Sequence, residues 1–372
     1  MRIRIGLTTL VLLVSVATTA SAQRQGTQLQ PDPSRGITRV GTRGANFLEI
    51  GVGARELALG GAVVAAVEGL NSLYWNSSAI VGIKGVSGAA SYAELYGNSG
   101  VTHTFVAAAV PLSAGDVLGA SLIRFSSGAV RVTTEQWPMG GDPERAETVE
   151  WAGTAFGLHY SRAITDRLNV GFTAKYVQEG IPQATANYVG LDLSTVFETG
   201  IYGITMGAAV VNVGTSGQFR GGAIETVMPS SANQGPIPSG DGVPVEVKTA
   251  KLDLPTAFRF GIRAELYGAP DAIIGPSAEH GLAVVGSIQD ATTTYMEPAF
   301  GAEYSYRGMF FARVGKQFRN EPRANWGFTA GLSAGLGMRL PVGDRRIAVD
   351  YAYTTLGDNL GHNQVFSFEI GF

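Results

Sequence analysis

The chain has 372 residues, enough for two soluble domains or one large barrel; its 51 glycines are about twice the usual share, and charged residues make up only 15%. A formal net charge of -3 leaves no basic footprint for nucleic acid, and the glycines follow no collagen period. With no cysteine, the chain has no disulfide, no cysteine metal site and no lipid-modified cysteine after processing.

Arg2 and Arg4 precede an apolar run over 5–17, and Ala20, Ser21 and Ala22 make a small-residue cleavage site before Gln23. Residues 1–22 therefore read as a signal peptide. Residues 23–43, rich in Gln, Pro, Arg and Thr without periodicity, read as a flexible periplasmic leader. Residues 44–85 are Gly- and Ala-rich as far as Ala66 and then carry Tyr74 and Trp75 beside a polar turn. They read as a short plug inside the mouth of a barrel, the competing reading being a first edge hairpin of the sheet. Beyond the signal peptide no run of about 18 apolar residues occurs, which argues against a helical inner-membrane protein.

From residue 86 to 372 the chain alternates apolar with polar or tiny side chains for stretches near the nine to eleven residues that cross a bilayer at a tilt. Strands are expected near 86–95, 103–112, 116–127, 149–163, 168–179, 187–199, 202–214, 254–267, 281–290, 297–306, 309–318, 327–340, 346–356 and 363–372. The stretch 327–340 is the clearest. Phe328, Leu332, Leu336 and Leu340 fall on one side, and Thr329, Ser333, Gly337 and Arg339 fall on the other. The fold class is thus all-β transmembrane, a closed antiparallel outer-membrane barrel of about fourteen strands with a luminal plug. Short turns near 113–115, 165–167, 307–308 and 342–345 interleave with longer connections at 127–148, 217–253 and 319–326, which sets the short turns in the periplasm. The connection 268–280 is longer than a periplasmic turn should be.

If the oily set faces lipid, the opposite set holds Lys175, Arg259, Arg263, Arg313 and Arg339 with Asp192, Glu265, Glu303, Asp350 and Glu369. Such a balanced set predicts a lumen bridged by salt links and partly plugged, or one that is simply wet, rather than a wide pore selective for one charge. Tyr and Trp residues near strand ends, such as Tyr92, Trp151, Tyr176 and Tyr353, suit the aromatic girdles of a barrel. The last strand alternates and finishes on Phe372, which resembles the signal by which barrel-assembly machinery recognises its substrates.

The segment from Gly44 to Ala62, with Asn46, Phe47, Gly51, Gly53, Ala54, Arg55, Gly60 and Gly61, resembles the opening of the PorV/PorQ family, and the likeness runs on to Tyr74, Trp75 and Asn76. That resemblance implies a FadL-type barrel of fourteen strands with an N-terminal luminal segment, non-enzymatic and without a cofactor. It also implies partners among secreted cargo or subunits of a type IX-like secretion system. In many relatives Trp-Asn is followed by Pro-Ala-Gly-Leu, whereas Ser77, Ser78, Ala79 and Ile80 follow here. Without that proline a different turn is open at this point of the plug.

The histidines, His103, His159, His280 and His362, have no metal-ligand spacing, no G-x-S-x-G marks a nucleophile, and Gly60-Gly61 lacks the lysine of a phosphate loop. The expected function is a component for protein secretion or surface assembly acting through extracellular loops, chiefly 127–148 and 217–253. The alternative is passive transport of hydrophobic small molecules through the lumen. Either way the expected surroundings are outer-membrane lipid and the assembly machinery, with a hydrophobic ligand under the second reading and no nucleic acid.

Overall fold

The computed structural model describes residues 41–371 except 67, 98, 144–146, 230–241, 320–328, 344 and 358–359. The expected signal peptide, the leader through residue 40 and Phe372 lie outside these described residues.

Alternating side chains favour an extended backbone whose two faces seek different media, and the chain forms fourteen such strands. They are β1 (Ser87–Leu95), β2 (Val101–Pro111), β3 (Asp116–Arg131), β4 (Thr148–Ala163), β5 (Leu168–Ile181), β6 (Ala184–Glu198), β7 (Ile204–Gly214), β8 (Ala257–Gly268), β9 (His280–Ala291), β10 (Glu297–Tyr306), β11 (Phe310–Gln317), β12 (Leu332–Val342), β13 (Arg345–Thr355) and β14 (His362–Gly371). Each pairs antiparallel with the next, and β14 returns to β1 with Ser367 opposite Ser91. The sheet is closed, so no strand edge is left to hydrogen-bond to lipid.

In β2, His103, Phe105, Ala107 and Ala109 are buried while Val106 and Val110 are exposed. In β12, Leu332 and Leu336 point outward and Ser333 and Gly335 inward. Leu336 is 67% exposed and Leu193 63%, values that make sense only for a wall wetted by lipid. The stretch expected to start at 327 becomes strand only at Leu332. Gly331 takes a φ of 78° and donates its N–H to the Thr355 carbonyl, which ends the turn there.

The connections alternate in length less strictly than the sequence implies. At the long-loop end the 132–147 and 215–256 connections are long, but β5 and β6 are joined by residues 182–183 alone, so β6 begins earlier than expected. The 215–256 connection builds its own hairpin, Glu225–Pro229 against Gly242–Glu246. At the other end, β8 runs past its last β7 partner at Ala264. The over-long 268–280 connection folds back to cover that free edge, with the Ile273 and Ile274 amides donating to the Glu265 and Leu266 carbonyls at 3.0 and 2.9 Å.

Residues 44–80 run down the inside of this wall, not along its edge, and they touch nearly every strand. Phe47 lies over Gly153, Ala58 over Gly335, Leu59 over Gly301 and Gly315, Val64 over Gly207 and Gly261, and Leu73 over Gly119. A Cβ at Gly301 would stand 2.7 Å from the Leu59 carbonyl oxygen, and one at Gly335 would stand 2.5 Å from the Ala58 Cβ. Much of the glycine excess is therefore the track along which the plug packs. The path also corrects one expectation. Residues 41–43 sit at the long-loop end, not the periplasmic one, because Arg43 pairs with Asp253 at 2.5 Å and the Gly44 amide donates to the Asp253 carbonyl.

Candidate functional site

The plug has little regular structure of its own: α1 (Ala54–Ala58), α2 (Ser72–Trp75), and single 3-10 turns at Asn46–Glu49 and Ser77–Ile80. Helices of four or five residues are unstable alone, so side chains hold the segment together. Gly60 and Gly61 follow α1 with φ of 69° and 74° and return their amides to the Leu57 and Glu56 carbonyls, a left-handed cap that a residue with a Cβ adopts only under strain. Trp75 Nε1 donates to the Val52 carbonyl at 2.8 Å, Tyr74 Oη to the Leu48 carbonyl at 2.9 Å, and the indole fills the space above Gly51. Gly53 gives its amide to Ser91 and Ala54 gives its own to Ser367 at 2.7 Å, tying the start of α1 to β1 and β14.

Asn76 holds the turn at Ser77–Ile80. Its Oδ1 accepts from the Ser78 amide and hydroxyl, and its Nδ2 donates to the carbonyls of Val64 and of Thr195 in β6. One side chain thereby closes the turn and anchors it to the wall.

The structure places all ten sequence-derived luminal charges on the inner face. Lys175 meets Asp192 at 2.6 Å toward the long-loop end. Arg259 caps Tyr74 and Trp75, its guanidinium 5.1 and 5.3 Å from their rings, and donates to Gln289. The others gather lower down. Glu303 receives Arg55 through two bonds of 3.0 Å and Arg313 at 2.6 Å, while Arg313 also reaches Asp350 at 2.5 Å. Arg263 joins Glu265 at 2.7 Å, and Arg339 joins Glu68 at 2.7 Å. Glu369 takes no cation among the described residues and accepts the Leu70 and Asn71 amides.

Glu56 and Glu68, both on the plug, were missed as site residues from sequence; the available signal was the rarity of charge in an apolar Gly/Ala segment. Glu68 is ringed by Arg55, Arg263 and Arg339 yet 43% of its side chain is accessible, so it fronts an internal space. Enclosure would raise its pKa, but the three arginines outweigh that and hold its carboxyl down at about 2. Burial pushes Glu56 the other way, up to about 7, because Arg55 at 3.7 Å offsets it only in part.

At the long-loop end the top of the plug and the loops enclose a cleft of about 370 Å³. Phe47 stacks on Phe125 at 6.3 Å, Trp151 packs on Phe219 at 5.4 Å, and Tyr96, Ile50 and Leu252 complete the lining. Two of the polar members have partners, Glu179 accepting from the Ala45 amide and Tyr188, both at 2.8 Å, and Arg43 holding Asp253, while the exposed Asn46 also lines the cleft. What faces the opening is mostly aromatic and aliphatic, and the volume lies within the range of small-molecule pockets. A larger concavity, about 600 Å³, opens on the outer wall over Ala302, Ala312 and Ala334 between Leu336, Tyr351 and Tyr353. It faces lipid and does not connect to the plug.

The ring nitrogens of His159 are taken by Ser121 at 2.8 Å and Thr173 at 2.9 Å, and no carboxylate among the described residues bonds to it.

No protein-family model matches the chain, and no curated protein matches its sequence. Solved structures do match in shape. The CymD monoaromatic hydrocarbon channel is 12% identical with a TM-score of 0.54, over 86% of this chain and 97% of that one. The toluene transporter TodX of Pseudomonas putida is 11% identical with a TM-score of 0.53, over 87% and 99%. A FadL homologue of Pseudomonas aeruginosa is 12% identical with a TM-score of 0.50, over 86% and 98%. At such identities the likeness shows the fold alone, a closed antiparallel β-barrel.

Proposed function

We propose that this barrel resides in the outer membrane and admits small hydrophobic molecules, captured in the aromatic cleft at its extracellular mouth and passed inward when the plug shifts. The observation that carries this reading is the cleft itself, whose lining is mostly aromatic and aliphatic and includes the plug residue Phe47. The similarity to barrels described as hydrocarbon channels and a toluene transporter supports it, and it displaces secretion as the first reading. The chemistry required is binding and release, with no bond made or broken. Uptake of a hydrophobic probe by cells carrying or lacking the protein tests it. Slower uptake on deletion, restored by the intact chain but not by Trp151→Ala with Phe219→Ala, is expected; uptake unchanged by deletion overturns it.

Secretion or surface assembly remains the second reading. The run from Gly44 to Asn76 resembling PorV/PorQ favours it, as does the 215–256 connection, whose hairpin offers a surface to exported proteins. A pull-down from outer-membrane extracts that recovers secretion subunits, lost when 217–253 is trimmed, would support it.

A further inference from the structure

Among the described residues the lower lumen holds more carboxyl groups than cations. Arg55, Arg263, Arg313 and Arg339 are matched by Glu68, Glu265, Glu303 and Asp350, which leaves Glu56 and Glu369 as a surplus. Both are buried, Glu56 at 0% and Glu369 at 6% exposure. They sit on opposite sides of the contact between plug and wall, Glu56 on α1 and Glu369 on β14.

The polar surroundings show a missing hydrogen. Glu56 Oε1 and Asn71 Oδ1 are both buried without a hydrogen-bond partner, although Asn71 Nδ2 reaches Glu56 Oε2 at 3.3 Å. Two acceptors are thus stranded beside a carboxyl group. A proton on Glu56 gives one of the two a partner, because the Asn71 amide can then turn its oxygen toward Glu56 and accept the O–H in place of the N–H bond it donates in the other orientation. Asn71 also gives its backbone amide to Glu369, so one residue bridges the two carboxyls.

We infer that Glu56 is protonated when the plug is seated and forms with Glu369 a latch that lets go when that proton is lost. Each packed element contributes to the balance. Arg55, beside Glu56 on α1, and Arg313 of β11 favour ionisation, but both are engaged by Glu303 of β10, and Arg313 also by Asp350 of β13. Asp350 opposes it. From β1 and β14, Ser91 and Ser367 face α1 as neutral groups, their oxygens taken by the Gly53 and Ala54 amides. Ionising both carboxyls places like charges on the two sides of one dry contact. Since seating raises the Glu56 pKa from the ordinary 4.5 to about 7, the latch has full strength below about pH 4.5 and loses it as pH rises through about 7.

The chain lacks cysteine, so a single thiol reports on the seat. Ser72→Cys places one on α2, at a position fully buried in the seated plug. The full-length barrel in detergent is labelled with a charged, membrane-impermeant thiol reagent across pH, alone and combined with Glu56→Gln and Glu369→Gln. The ratio of the two labelling rates removes the titration of the thiol itself. It is expected to rise at least about tenfold between about pH 5 and pH 9, one pKa unit's worth of coupling. A ratio flat with pH overturns the latch. Asn71→Asp adds a third carboxyl to the cluster and is expected to move the rise to lower pH, whether or not the glutamine variants fold. Labelling of Ser72→Cys with Asn71→Asp at the same pH as without it also overturns the proposal.

Discussion

At its upper end the plug meets the barrel through rings: Phe47 lies against Phe125 and Gly153, and Trp151 and Phe219 pack beside it in a mostly apolar cleft. At its lower end it meets the barrel through charge, with Arg55 forked onto Glu303 and only 3.7 Å from Glu56, and Glu369 held by backbone amides. The contrast separates two tasks. Apolar contact is tolerant of shape and leaves room for a hydrophobic guest. Buried ionic contact is intolerant, since a partner removed leaves a stranded charge, and that makes it suitable for holding or releasing the plug as a unit.

Four changes sharpen that comparison. The largest effect is expected at Glu303→Ala, which strands both Arg55 and Arg313; seating should weaken by about 3–5 kcal/mol, seen as increased proteolysis within 44–85 and a lower melting temperature. Next is Gly315→Val, whose side chain strikes the backbone at Leu59 and Gly60. Overpacking of this kind costs about 1–3 kcal/mol, and in planar bilayers the displaced plug should raise conductance; conductance equal to wild type would mean that the wall gives instead. Asn76→Ala removes the turn's cap and its tie to Thr195, with an expected loss of about 1–3 kcal/mol in thermal unfolding. Smallest in stability but largest in binding is Trp151→Ala. Because this side chain is 39% exposed, the barrel should melt as before while affinity for a hydrophobic probe drops, as read by fluorescence titration.

These expectations depend on features that were unequally visible along the chain. The alternation that makes Leu332 and Leu336 outward and Ser333 and Gly335 inward is local, so the strands and the luminal side of Arg313 or Asp350 could be read residue by residue. The plug motif could be singled out, but not the purpose of its parts. Asn76 caps a turn through Ser78 and bonds Thr195, a residue over a hundred positions away. Glu68 and Glu56 fell outside the luminal set because no periodicity points an irregular segment's side chains anywhere. The cleft was also hidden, since Phe47, Phe125, Trp151 and Phe219 come from four separate stretches.

What the sequence determined by itself is which medium each strand residue faces, because side chains on an extended chain alternate without reference to anything distant. From that follow the barrel, its strand number and its inner charge set. Only the tertiary structure decided which charges pair, where the plug enters and which carboxyls remain without a cation. Those depend on strand register and on the route of one irregular segment through the lumen, and contacts between residues far apart in the chain determine both.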